Sequence, residues 1–210
     1  MIAGLLETLA WALAITLCVP GLAGRPGRGA AVAVGVAALL WIPVGGTSGL
    51  AVLRGAAASP AVTTVVILAG LLIARCHGVP LFACGERRQI AVLAGVTGVL
   101  FYPPALGLGP IDPYAWGYGS AALPLTVGAL ALVCGAAGRW VLAGALSGAL
   151  VAWRLRLLDS PNLWDYVIDP LLAIAGLVAL AVYAVRRKSP KRAGCKPTDA
   201  RSTMNSAEAR

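Results

Sequence analysis

The chain has 210 residues, of which 59% are hydrophobic and only 12% charged, with a formal charge of +9 and a mean hydropathy of +0.84. A single soluble core cannot hold that share of apolar side chains, which leads to the expectation that lipid is the solvent. The charge excludes a nucleic-acid partner by its layout: eight of the seventeen Lys and Arg lie from Arg186 onward, and the rest punctuate apolar runs with no basic and aromatic stripe.

In chain order, spans of roughly 20 apolar residues are expected at about 2–22, 29–46, 59–75, 89–106, 120–138, 140–157 and 169–186. The first lacks the basic start and small-residue cleavage site of a secretory signal, since Arg25 and Arg28 follow the apolar run; it reads as a retained helix entering tail-out. Only Arg139 separates the fifth run from the sixth, so six spans are the alternative count. With seven spans and an outward N-terminus, Arg25, Arg28, Arg75, Arg87, Arg88, Arg139 and the tail fall inside. That is fourteen of the seventeen basic residues, a strong positive-inside bias. The fold class expected is therefore an all-α integral membrane protein, a bundle of about seven transmembrane helices over residues 1–186. Residues 187–210 are expected as a basic, disordered cytoplasmic tail whose RRKSPKR opening anchors to anionic headgroups. The excess of Arg over Lys, 14 to 3, points to a GC-rich bacterial genome and so to an inner membrane.

Sorting residues by this topology gathers Glu7, Asp112, Asp159, Asp165 and Asp169 at the outer face, with the aromatic loops GLGPIDPYAWGYGS (107–120) and LLDSPNLWDYVIDP (157–170). Ser59, Asp112, Ser160 and Asp169 each precede a proline, the pairing of an N-cap with a helix's first residue. Tyr114, Trp116 and Trp164 suit a headgroup belt. The same surface reads as a ligand site in which Arg54, Arg154 and Arg156 take an anionic group, flanked by Tyr114, Trp116, Asn162, Trp164 and Asp169. Glu7, Asp112 and Asp165 are its candidate acid or base groups. Asn162, Asp165 and Asp169 share a face if the segment after Pro161 stays helical. If the stretch around Arg54 dips inward, the guanidinium needs an acid, and Glu7 or Asp165 would serve.

Gly144 and Gly148 form a G-x-x-x-G suited to close helix packing. The five cysteines show no C-x-x-C spacing and are expected as free thiols. One histidine, His77, with Cys76 and Cys84 makes a poor metal set; no HExxH, GxSxG or P-loop is present, and neither metal nor cofactor is expected. The expected partners are the lipid bilayer, a lipid or anionic envelope ligand, and a membrane protein. Function is expected as binding or modifying an amphiphilic or anionic envelope molecule at the outer face. The alternatives are a non-catalytic subunit of a membrane complex, or a small transporter in which Glu7 carries a proton.

Overall fold

The structure, a computed structural model, describes residues 2–57 and 59–187. Its helices follow as α1 (Ile2–Cys18), α2 (Pro26–Trp41), α3 (Gly49–Ala57), α4 (Val62–His77), α5 (Glu86–Ala105), α6 (Ala122–Ala136), α7 (Trp140–Arg154), α8 (Trp164–Val167) and α9 (Pro170–Arg187). A small antiparallel hairpin of β1 (Pro43–Val44) and β2 (Thr47–Ser48) precedes α3, and a 3-10 turn covers Tyr114–Gly117. The hairpin turns on Gly45 (φ +62°) and Gly46 (φ +84°), the positive angles that a two-residue turn requires. The expected tail from 187 onward lies, beyond Arg187, outside the described residues.

Each expected apolar run carries one of the longer helices, but the fold class needs correcting. Among the described residues, no helix is long and apolar enough to cross a membrane. The seven-span integral membrane bundle, its outside and cytoplasmic sides, and the multi-pass inner-membrane location therefore do not hold. The reason lies where helices start and stop. α4 has 16 residues and α6 and α7 have 15 each. At about 1.5 Å per residue these reach roughly 22–24 Å, against about 30 Å of hydrocarbon. α5 has 20 residues, yet its first turn holds Glu86, Arg87 and Arg88 and its last holds Pro103 and Pro104. Average hydropathy is blind to such boundaries, one of which is the left-handed Gly78 that ends α4 at φ +67°.

The helices pack as α2 on α1, α1 on α4, α4 on α7 and α7 on α6, with α5 and α9 as a tight pair. α7 sits between α4 and α6 because Ala145, Ala149 and Ala152, spaced along one face, are buried and small enough to admit both neighbours. α5 and α9 approach closely. A Cβ on Gly98 would stand 2.5 Å from that of Ala173, and one on Gly176 would stand 2.7 Å from the Gly95 nitrogen. The G-x-x-x-G at Gly144 and Gly148 does not make this contact: a Cβ at Gly144 meets nothing within 4 Å. Apolar side chains including Leu100, Leu125, Leu132, Val178 and Val185 stay exposed, the kind of surface that meets another molecule.

Arg75, Arg88 and Arg139 lie at one end of the bundle, and Glu7, Asp159, Asp165 and Asp169 gather round a cavity at the other. At the basic end, Arg75 donates to the Leu17 and Val19 carbonyls and Arg139 to the Cys84 carbonyl. Glu86, fully buried, accepts from the Ala83 N–H at 2.8 Å and from the Leu142 N–H at 2.9 Å. It thus caps the start of α7 from another helix. The free-thiol expectation is met by Cys18, Cys76 and Cys134 and corrected at Cys84, which is disulfide-bonded; Cys195 lies outside the described residues.

Candidate functional site

At the acidic end, the two aromatic loops interlock. Asn162, fully buried, accepts from the Trp164 N–H at 2.9 Å and donates to the Tyr114 carbonyl at 3.0 Å, while the Leu163 N–H donates to the Gly117 carbonyl at 3.1 Å. The Trp164 indole N–H donates to the Pro113 carbonyl at 2.8 Å. Gly117 is required, because a Cβ there would overlap the Asn162 amide oxygen. Buried Tyr166 hydrogen-bonds the Leu158 and Ser160 carbonyls, and so folds residues 157–167 back on themselves.

Two of the proline-preceding residues act as caps. Asp112 accepts from the Tyr114 N–H at 2.9 Å and the Ala115 N–H at 3.3 Å. Asp169 caps α9 by accepting from the Leu172 N–H at 2.6 Å, and it also takes the Ala61 N–H and the Thr64 hydroxyl, each at 2.5 Å, at the start of α4. Burial pushes the Asp169 carboxyl up, against the pull of these donors. Ser59 departs from the cap reading. α4 begins two residues beyond Pro60, and the Ser59 hydroxyl instead donates to Glu7 Oε1 at 2.5 Å.

Glu7 is buried in α1 and paired with Arg54 of α3, whose Nε donates to Oε2 at 2.8 Å and whose Nη2 donates to the same oxygen. The acid expected to meet Arg54 is therefore Glu7. The stretch around Arg54 is not an inward dip but the last turn of a short helix, with the guanidinium half exposed.

These elements enclose a cavity of about 610 Å³. Glu7 and Ser59 form one wall, Phe101 and Tyr102 of α5 with Leu106 just beyond it another, and Tyr114, Leu158, Asp159, Asp165, Ile168 and Asp169 are among the residues that complete the cavity. The expected Glu7, Tyr114, Asp165 and Asp169 are thus brought together. Asn162 and Trp164 build the frame behind the wall, Asp112 caps its turn, and Trp116 is exposed outside it. Arg154 and Arg156 line a separate small recess with Trp153 and Pro161, so the three arginines do not converge. Asn162, Asp165 and Asp169 do not ride one helix either, because Ile168 is extended between α8 and α9.

No known family, curated protein or solved structure matches the chain. The chemistry of the cavity must therefore be read from its own residues. Among the described residues no Lys or Arg lines it. Glu7 is neutralised by Arg54, and Asp169 is saturated by donors. Among the described residues, Asp165 accepts only the Tyr114 hydroxyl on its carboxylate, at 3.0 Å, and Asp159 has no hydrogen bond or ion pair. Desolvation first, then the Asp169 and Asp165 charges, push the Tyr102 phenol up. Desolvation, Tyr118 and Asp165 do the same to Tyr114. Both phenols stay neutral, and neutral aromatic rings attract cations. Asp159 was placed on this face by the sequence without being named a ligand or an acid or base residue, and Tyr102 was not singled out. Tyr102 lies inside an apolar run before two prolines and becomes a site residue only through long-range packing.

Proposed function

We propose that the protein binds an amphiphile through a positively charged head seated in the acid-lined cavity. The observation that carries the reading is the pair of carboxylates with unused lone pairs, Asp159 and Asp165, in a cavity of about 610 Å³ that has no basic lining residue among the described residues. Tyr102, Tyr114 and Phe101 supply ring faces for the cation. Leu106, Leu158 and Ile168 supply apolar wall for the attached chain, and the volume lies in the usual range for small-molecule sites. The amphiphilic ligand expected from sequence is kept. The anionic head is replaced, because the arginines meant to hold it are either paired with Glu7 or in another recess.

Titration calorimetry with dodecyltrimethylammonium on the full-length chain tests this. Saturable one-to-one binding is expected, weakened about tenfold by Asp165→Asn through loss of one charge-assisted contact and unchanged by Arg156→Gln. Equal affinity of the Asp165→Asn variant and the natural chain would overturn it.

A further inference from the structure

A second opening lies at the other end of the bundle, between the start of α5 and the end of α6. It has a volume of about 540 Å³, and its polar lining is Arg88, Gln89 and Arg139. Arg88 is exposed and makes no hydrogen bond or ion pair among the described residues. Arg139 gives one Nη to the Cys84 carbonyl, while its Nε is shut off from solvent and donates to nothing among the described residues. A buried N–H left without an acceptor is destabilising and uncommon in folded chains. Among the described residues the acid beside the cleft is Glu86, which is fully buried and already accepts from Ala83 and Leu142, so neither guanidinium has an ionic partner among them.

The walls continue in a definite direction. Val92 and Leu93 sit one turn beyond Arg88 and Gln89 on the same face of α5, and Val133 sits one turn before Ala137 on α6. Val92, Leu93 and Val133 are 38%, 37% and 64% exposed, so an apolar track runs from the guanidinium pair toward the middle of the bundle. We infer that this cleft is a second binding site, specific for an amphiphile with an oxyanion head. The head sits between Arg88 and Arg139, a guanidinium pair suited to a phosphate or carboxylate. The chain lies along Val92, Leu93 and Val133. The site is independent of the acid-lined cavity and opposite to it in sign.

Monododecyl phosphate, titrated into the full-length chain below its micelle-forming concentration and followed by calorimetry, is the direct probe. One saturable site is expected. Arg88→Gln, a change at an exposed side chain that leaves the fold intact, weakens it about tenfold. Arg139→Lys, which keeps the charge but removes the fork, weakens it by a similar factor. Inorganic phosphate and dodecanol, each lacking one half of the probe, do not saturate over the same range. Asp165→Asn leaves monododecyl phosphate binding unchanged, which separates this site from the cation-binding cavity. Undiminished affinity in both arginine variants, or equal binding of dodecanol or of free phosphate, would overturn the inference.

Discussion

Gly117→Ala is the sharpest test of how the acidic end is held together. The new methyl would overlap Asn162 Oδ1, lie 2.6 Å from its Cγ and 2.9 Å from Trp164 Cδ1. Asn162 cannot retreat, because it is fully buried and fixed at both ends by Trp164 and Tyr114. Relief requires breaking those two bonds and loosening the third, from Leu163 to the Gly117 carbonyl. Each is worth about 0.5–1.5 kcal/mol net, and a buried group left unpaired adds about 1–3 kcal/mol, so a loss of about 3–4 kcal/mol is expected. For a chain of this size that lowers Tm by about 10 °C. Thermal unfolding followed by circular dichroism measures it, and Trp164 fluorescence reports the local change. A double-mutant cycle gives the mechanism: Asn162→Ala costs less in the Gly117→Ala background than alone, because the clashing amide is gone. A loss under about 0.5 kcal/mol, the range of an inconsequential surface change, would refute the interlocked-loop account.

The two glycine pairs separate in opposite directions. Gly144→Ala, with open space around its Cβ, raises stability by up to about 1 kcal/mol through helix propensity. Gly176→Ala, facing the Ala91 carbonyl at 2.9 Å, lowers it by about 1–3 kcal/mol; denaturant midpoints distinguish them, and equal effects would contradict the packing. Burial holds the Asp169 carboxyl above its ordinary 3.8, so the folded chain binds that proton more tightly than the unfolded one. The corresponding stability is full below the ordinary value of 3.8 and is lost as pH rises through the folded value. Asp169→Asn carries no such proton, and its stability falls less between about pH 4 and about pH 7. An unchanged slope would remove Asp169 as the source.

The positions of the seven longer helices were legible because apolar runs and helix breakers are local. Asp112 and Asp169 were legible as caps for the same reason: a short acceptor before proline reaches N–H groups two or three residues on. The pairing of Arg54 with Glu7 was legible as a need, since a cation in an apolar stretch requires an acid. Ser59 was misread because the rule that made it a cap is local, whereas its partner Glu7 lies 52 residues away. The membrane reading failed for a related reason. Hydropathy counts apolar residues without weighing where a left-handed glycine or a charged first turn cuts a helix short. Tyr102, Asp159 and Glu86 owe their surroundings to packing between distant segments, which no spacing rule reports.

Asp169 joins helix starts far apart along the chain, its partner Ala61 standing 108 residues away. Contacts that close loops of that length cost the most conformational entropy and form late in folding. During N-to-C synthesis the wall of Glu7 and Ser59 is made well before Asp165, Asp169 and the helix that Asp169 caps. The acid-lined cavity is therefore a property of the finished chain: a growing polypeptide stalled before α9 holds Glu7 and Arg54 already paired but has no pocket to fill.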